Sequence, residues 1–198
     1  LTLAGAGTAT GATRAAAGTL ALANAAALAG STLNLATGDT GAVSFGTLTS
    51  AQLGGLAGAR GLSLSNLGNA AVALSVGANG ANTTYAGVLS GLGSLTKVGT
   101  GTLTLAGTST FSGGTIITAG TLAVSADANL GAVPTVLAPA AVTLAGATLN
   151  ATSTFTLASN RGVTLTAASN LGVDTGATLT YGGAIAGNFA LTKVGAGS

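Results

Sequence analysis

The chain has no cysteine, no histidine and no glutamate, and only three aspartates, Asp39, Asp127 and Asp174, in 198 residues. Without cysteine there is neither a disulfide framework nor a thiolate metal site. General acid and base work needs paired carboxylates, an imidazole or a tuned cation. Here the three carboxylates lie far apart in sequence, and no base stands ready to activate the many serines and threonines. The sequence therefore predicts a protein that is not an enzyme, with no catalytic, cofactor-binding or metal-ligating residues and no cofactor. Charge is scarce in both signs: Lys97, Lys193, Arg14, Arg60 and Arg161 give a net +2, and charged residues make up 4% of the chain. Five scattered cations form no basic patch, and none of the six aromatic residues (four Phe, two Tyr) sits beside a basic cluster. Nucleic acid is not an expected partner. No apolar run approaches the ~18 residues of a membrane-spanning helix, so no membrane insertion of this segment is expected. The stretch also has no basic, apolar leader, which places any targeting signal outside it.

What the chain does have is 47% hydrophobic residues, 34 glycines and a two-residue rhythm. Apolar and small polar residues alternate in GTLAL (18–22), STLNLA (31–36), GLSLS (61–65), AVALSV (71–76), GTLTLAG (101–107), GTLAVSA (120–126), AVTLAGATLNA (141–151), RGVTLTA (161–167) and GATLTYGG (176–183). Alternation over four to eight residues marks half-buried strands, and the Gly, Asn, Asp and Ser between them turn the chain every few residues. The apolar residues are mostly small, Leu, Val and Ala, which suits a narrow tube of stacked coils. A transmembrane barrel would show aromatic girdles and ~10-residue strands, and a sandwich would need larger core residues.

A longer period overlies this rhythm. YAGVLSGLGSLTKVG (85–99) recurs 96 positions later as YGGAIAGNFALTKVG (181–195). The likeness then carries on at residue 1. A copy of Leu1 placed after Ser198 would read LTKVGAGSLTLAGAG, which aligns without a gap on LTKVGTGTLTLAGTS (95–109). Self-similarity of this kind signals a solenoid. The expected fold is all-β, a parallel β-helix of about 9 to 10 coils at ~20 to 22 residues each, roughly 45 Å long at ~4.8 Å per coil, with uncapped ends. Residues 1–198 are read as a single segment, one period of a longer array, with sub-repeats of about 1–94 and 95–190 and with 191–198 continuing into residue 1 of the next copy.

Residues 95–124, LTKVGTGTLTLAGTSTFSGGTIITAGTLAV, resemble the passenger-associated β-helix repeat of bacterial autotransporters. The pattern is a turn holding Lys97 and Gly99, then G-x-L-x-L-x-G over Gly101–Gly107, the pair Thr110 and Phe111, Gly113–Thr115, and a closing Gly120–Leu122. The second copy, 191–198 continued by 1–22, keeps Lys193, Gly195, Gly197, Leu1, Leu3, Gly5, Gly18, Thr19 and Leu20. It departs at Ala9, Ala12 and Arg14, which replace an aromatic, a glycine and an isoleucine and predict a repacked corner. The resemblance implies a right-handed parallel β-helix, exported across the Gram-negative envelope and displayed extracellularly, at the cell surface, as a stalk or adhesin.

Particular residues carry simple structural expectations. Leu103, Leu105, Ile116 and Leu122 are expected to stack inside, Gly113 and Gly114 to form a tight corner rather than a binding loop, and Phe111 to plug the wider part of the coil. Lys97 and Lys193 are expected as solvated turn residues. Asp39 in TGDTG and Asp174 in VDTG read as turn formers, since the glycine-rich calcium series is missing. NTT (82–84) and NAT (150–152) match the glycosylation pattern and read as turn or strand-end residues. The function expected is that of a structural or adhesive extracellular solenoid, one repeat unit of a long surface fibre. Its partners would be further copies of itself, end to end and laterally, with host or biofilm surfaces beyond them. Three alternatives stand beside it: an ordinary autotransporter passenger segment whose activity lies elsewhere, an ice-binding solenoid using the outward threonines of 102–105, 163–166 and 177–180, and a β-helical polysaccharide-processing enzyme.

Overall fold

In the computed structural model, which describes residues 1–198, every strand-to-strand ladder is parallel; the one antiparallel bridge is isolated, between Ser65 and Ala71. A parallel ladder between successive passes of one chain is what a coil makes when it returns to its starting direction, so the alternating segments become the walls of a three-sided solenoid. The first wall stacks nine strands: β2 (Ala12–Thr13), β4 (Leu28–Leu35), β6 (Ser50–Gly58), β9 (Thr83–Tyr85), β12 (Thr102–Leu105), β14 (Thr121–Val124), β16 (Thr148–Ala151), β19 (Ser169–Val173) and β22 (Leu191–Val194). The second wall is built from the leading halves of β4 and β6, then β8 (Ala73–Val76), β11 (Ser94–Lys97), β13 (Thr115–Ile117), β15 (Ala138–Ala145), β18 (Arg161–Ala167) and β21 (Ile185–Ala186). The third is discontinuous. It holds β1 (Thr2–Leu3), β3 (Thr19–Leu22) and β5 (Ala42–Ser44), the pair β7 (Leu62–Ser63) and β10 (Leu89–Ser90), and the pair β17 (Phe155–Leu157) and β20 (Leu179–Tyr181). A 3-10 turn, Asp127–Leu130, stands among them. The chain makes about nine turns and has essentially no helix; no helix is long and apolar enough to cross a membrane.

Strands β4 and β6 run through the corner between the first two walls without a break. Glycine makes this possible: a Cβ on Gly54 would stand 2.4 Å from the Gly30 carbonyl carbon in the coil below. Coil length is not constant. The register advances 19 residues from Thr102 to Thr121 and 27 from Thr121 to Thr148, beyond the expected range on both sides. The extra residues sit in corners and on the third wall, where no continuous ladder has to be kept.

Inside, identical wall positions stack. Leu103, Leu122 and Leu149 form one registered column, and Leu105, Val124, Ala151 and Val173 another. Burying a Leu or Val side chain contributes ~1.5–3 kcal/mol, and each column repeats this coil after coil. One of the expected inward residues is misplaced by a single position: Ile117 is buried, while Ile116 points outward between Thr96 and Thr143. Thr115 takes the other inward position, its hydroxyl donating to Leu130 O at 3.3 Å, so a polar side chain fixes the parity. The same parity removes the expected corner repacking around Arg14. The position equivalent to Ile116 is an outward one, and Arg14 is accordingly exposed, while Ala15 takes the inward place. Phe111 is buried on the third wall with Phe45, filling the wider side of the section as expected.

The three T-L-T segments do not share a face. Those at 102–105, 163–166 and 177–180 belong to the first, second and third walls. On the first wall one outward column reads Thr102, Thr121, Thr148, Asn170, Thr192, while the column beside it decays through Thr104, Ala123, Asn150 and Gly172. No two-column threonine array extends along the rod.

Candidate functional site

The repeated motif has an unexpected placement. LTKVG at 95–99 begins on the second wall, as β11, but LTKVG at 191–195 begins on the first, as β22. Tyr85 ends a first-wall strand, and Tyr181, 96 residues later, ends a third-wall strand. The repeat therefore advances by a number of coils plus one wall, and equal sequences meet different corners. What they keep is their local contacts. Tyr85 donates to Arg60 O at 2.7 Å, and Tyr181 to Arg161 O at 2.9 Å and Ala184 O at 2.8 Å. In each case a phenol ties a corner to an arginine carbonyl one coil earlier. Burial raises the pKa of both phenols, opposed at Tyr85 by the charge of Arg60 and at Tyr181 by a backbone hydrogen bond at Val163.

The lysines act alike, and against expectation Lys97 is not solvated. It is 1% exposed, on the inward side between Val76 and Ile117. Its ammonium donates to Val98 O (2.7 Å), Gly99 O (2.8 Å) and Ala119 O (3.2 Å), the last in the following coil. None of these three carbonyls accepts another hydrogen bond from the protein. Corner carbonyls converge because Gly99 has φ 67 and Gly120 φ 63, and a cation inside the corner neutralises their dipoles. Burial lowers the Lys97 pKa below its ordinary value. Lys193 makes the same two local bonds, to Val194 O (3.3 Å) and Gly195 O (2.8 Å), and is exposed.

A groove of about 510 Å³ lies between the Gly113–Gly114 corner and the segment 131–140. Here the second wall opens, because β15 slips register between Ala138 and Val142, and both prolines of the chain, Pro134 and Pro139, occur in this stretch. Gly113 is pressed onto the coil below, where a Cβ would come 2.5 Å from Gly93 O, and Gly114 has φ 84, so the Gly-Gly-Thr segment is the tight corner expected of it. Arg161 closes the groove floor. It is 1% exposed and holds Asp127 through Nε (2.9 Å) and Nη2 (3.2 Å), and the carbonyls of Leu130 (3.1 Å) and Gly131 (3.0 Å). With that cation neutralised, the walls offered by Phe111, Val133, Pro134 and Ala140 are apolar and carry no acid or base. Neither the groove nor the buried Arg161–Asp127 pair was signalled by a motif; the paired prolines and the break in alternation at 131–140 were the available signs.

The three carboxylates are not brought together. Asp39 faces Arg14 (2.6 Å and 3.1 Å), Asp127 faces Arg161, and Asp174 accepts from Asn150 Nδ2 at 2.9 Å. The hydrogen bond from Arg14 holds the Asp39 carboxyl below its ordinary range, assisted by the charges of Arg14 and Arg60 against desolvation. Asp39 and Asp174 both lie in turns, closed by Asp39 N to Ala36 O and Ala177 N to Asp174 O. Asn82 accepts from the Thr102 amide at 2.8 Å as a turn residue, and Asn150 points outward from β16.

Neither a curated protein nor a solved structure matches the chain. A family does: the passenger-associated-transport-repeat matches residues 1–22 and 95–124, the two stretches that carry the corner glycines Gly18, Gly99 and Gly120. Those two stretches are similar to the passenger-associated-transport-repeat, and both are built into one continuous parallel β-solenoid.

Proposed function

We propose that this solenoid is one unit of a long, non-enzymatic surface fibre, adhesive through its neutral flanks and displayed outside a Gram-negative cell. One observation carries the reading. The sub-repeat of 96 residues is out of phase with the coils by one wall, yet 198 residues make a whole number of turns. The chain enters on the third wall at β1 and leaves on the first at β22, so a copy of Leu1 following Ser198 would continue the order second, first, third without a rotational mismatch. Tandem copies then stack in register with an axial period of ~43 Å, nine coils at ~4.8 Å. The scarcity of charge supports side-by-side packing of such rods, because little lateral repulsion opposes it. The repeat family also favours a second reading, a passenger stalk that carries an activity housed in another part of the protein.

Electron microscopy of native material, with the mass of the denatured chain, tests the proposal. Continuous rods with a ~43 Å axial period from chains far heavier than 18.1 kDa support covalent tandem repeats, and the same rods from 18.1 kDa chains support stacked subunits. Discrete particles of ~43 Å without rods would refute the fibre.

A further inference from the structure

Lys97 and Lys193 occupy the same position of the repeat but have unequal shells. Lys97 is held by two carbonyls of its own turn and a third, Ala119 O, from the next coil. Lys193 has the two of its own turn only. Twenty-two residues separate Lys97 from Ala119, and the repeat aligns TAGT at 118–121 with AAGT at 16–19, placing Ala17 where Ala119 stands. The local backbone agrees: Gly120 has φ 63 and Gly18 has φ 66. Ala17 O accepts no hydrogen bond anywhere in the chain, and no lysine precedes it within its own coil stack. One unit thus holds a cation lacking its third acceptor at Lys193 and an acceptor lacking its donor at Ala17.

We propose that Lys193 and Ala17 form an intercopy contact: in the array, the Lys193 ammonium of one copy donates to Ala17 O of the copy that follows, becoming buried as Lys97 is. The partner is a second copy of this chain, and the inference rests on the fibre reading above. Covering of β22 by the following copy would also bury Leu191, now partly exposed against the core, and Lys193 itself stands at the end of the inward column that runs through Leu149 and Leu171. The junction is recognised by backbone geometry and apolar stacking together. A foreign coil lacking a left-handed glycine after the acceptor would not present its carbonyl to the lysine.

The test is a two-unit chain, residues 1–198 joined directly to a second 1–198, with Lys193→Met placed in the first or in the second unit. Hydrogen exchange is followed in 169–198 of the first unit and 1–22 of the second. In the first unit the substitution removes a buried, charge-assisted bond, and exchange at the junction should accelerate roughly ten- to a hundredfold. In the second unit, where the lysine is solvated, the change should stay under about twofold. Small-angle scattering separates the two levels of the argument. A rigid rod of double length with junction exchange unchanged by the first-unit substitution overturns the lysine contact and leaves the fibre standing. Two flexibly joined bodies overturn the fibre reading and the contact with it.

Discussion

Replacing Lys97 with methionine isolates the polar role of this side chain, because Met fills nearly the same volume and leaves no large cavity. Three donors are lost at once, and Val98 O, Gly99 O and Ala119 O have no second partner in the protein. Each charge-assisted bond contributes ~1.5–3 kcal/mol, but removing the ammonium also relieves a desolvation penalty of several kcal/mol, and the corner carbonyls lie near enough to the surface to regain some water. The net expectation is a loss of about 2–3 kcal/mol, or roughly 4–10 °C in Tm for a chain of this length. Because a solenoid opens locally, hydrogen exchange across 94–124 should rise more than exchange in coils further away. The pH dependence adds a second signature. The Lys97 pKa is lowered by burial, so between that lowered value and the ordinary 10.5 the unfolded chain binds the proton that the folded chain has released, and stability rises with pH across this window. Lys97→Met should remove this rise. Equal or greater stability of the methionine variant at pH 7, with unchanged exchange at 94–124, would refute the view that the lysine anchors the corner.

Three further outcomes follow from the same geometry. Ile117→Ala should cost about 2–4 kcal/mol in chemical denaturation and Ile116→Ala less than about 1 kcal/mol, since only the first is in the core; equal costs would contradict the observed parity. Arg161→Met removes the cation that balances the Asp127 carboxylate, which keeps only the Ala158 amide, and leaves Gly131 O unpaired; it should cost about 3–5 kcal/mol, with new protease sensitivity in 131–140 as the local readout. Tyr85→Phe should cost about 1 kcal/mol at neutral pH by freeing Arg60 O. Its pKa is raised by burial, so the unfolded chain ionises first as pH climbs past 10 and folded stability falls; the phenylalanine variant should lose less stability in alkali than the parent.

The solenoid was legible because its signal is redundant: the two-residue rhythm recurs in every coil, so an error in one strand leaves the others intact. The burial of Lys97 was also encoded. In L-T-K-V-G the alternation that puts Leu95 inside puts Lys97 inside too, but its acceptors are backbone carbonyls, which leave no mark in the sequence. At G-T-I-I-T both parities are equally apolar, and the choice of Ile117 over Ile116 depends on Thr115 reaching Leu130 O from the other end of the same coil. The assignment of walls was the least legible feature. Coil lengths run from 19 to 27 residues, so sequence distance cannot be converted into rotation around the axis until the ladders are known.

That variation has a direction. The first two walls keep nearly continuous ladders, and every strand between their two ends is bound on both sides, so a residue inserted there would unpair two coils and turn inward side chains outward. The third wall has only short, separate ladders, and insertion next to it costs little more than loop entropy. A 27-residue step, from Thr115 to Val142, takes up its extra length there and opens the groove at 131–140. The corner anchors then serve a purpose beyond local stability. Tyr85, Tyr181 and the lysines fasten their own corners by contacts that do not depend on which wall they occupy, so a sequence repeat can drift around the axis while coil register is kept. A solenoid built this way can lengthen by added coils and diversify along one edge, with the apolar columns and backbone ladders left unchanged.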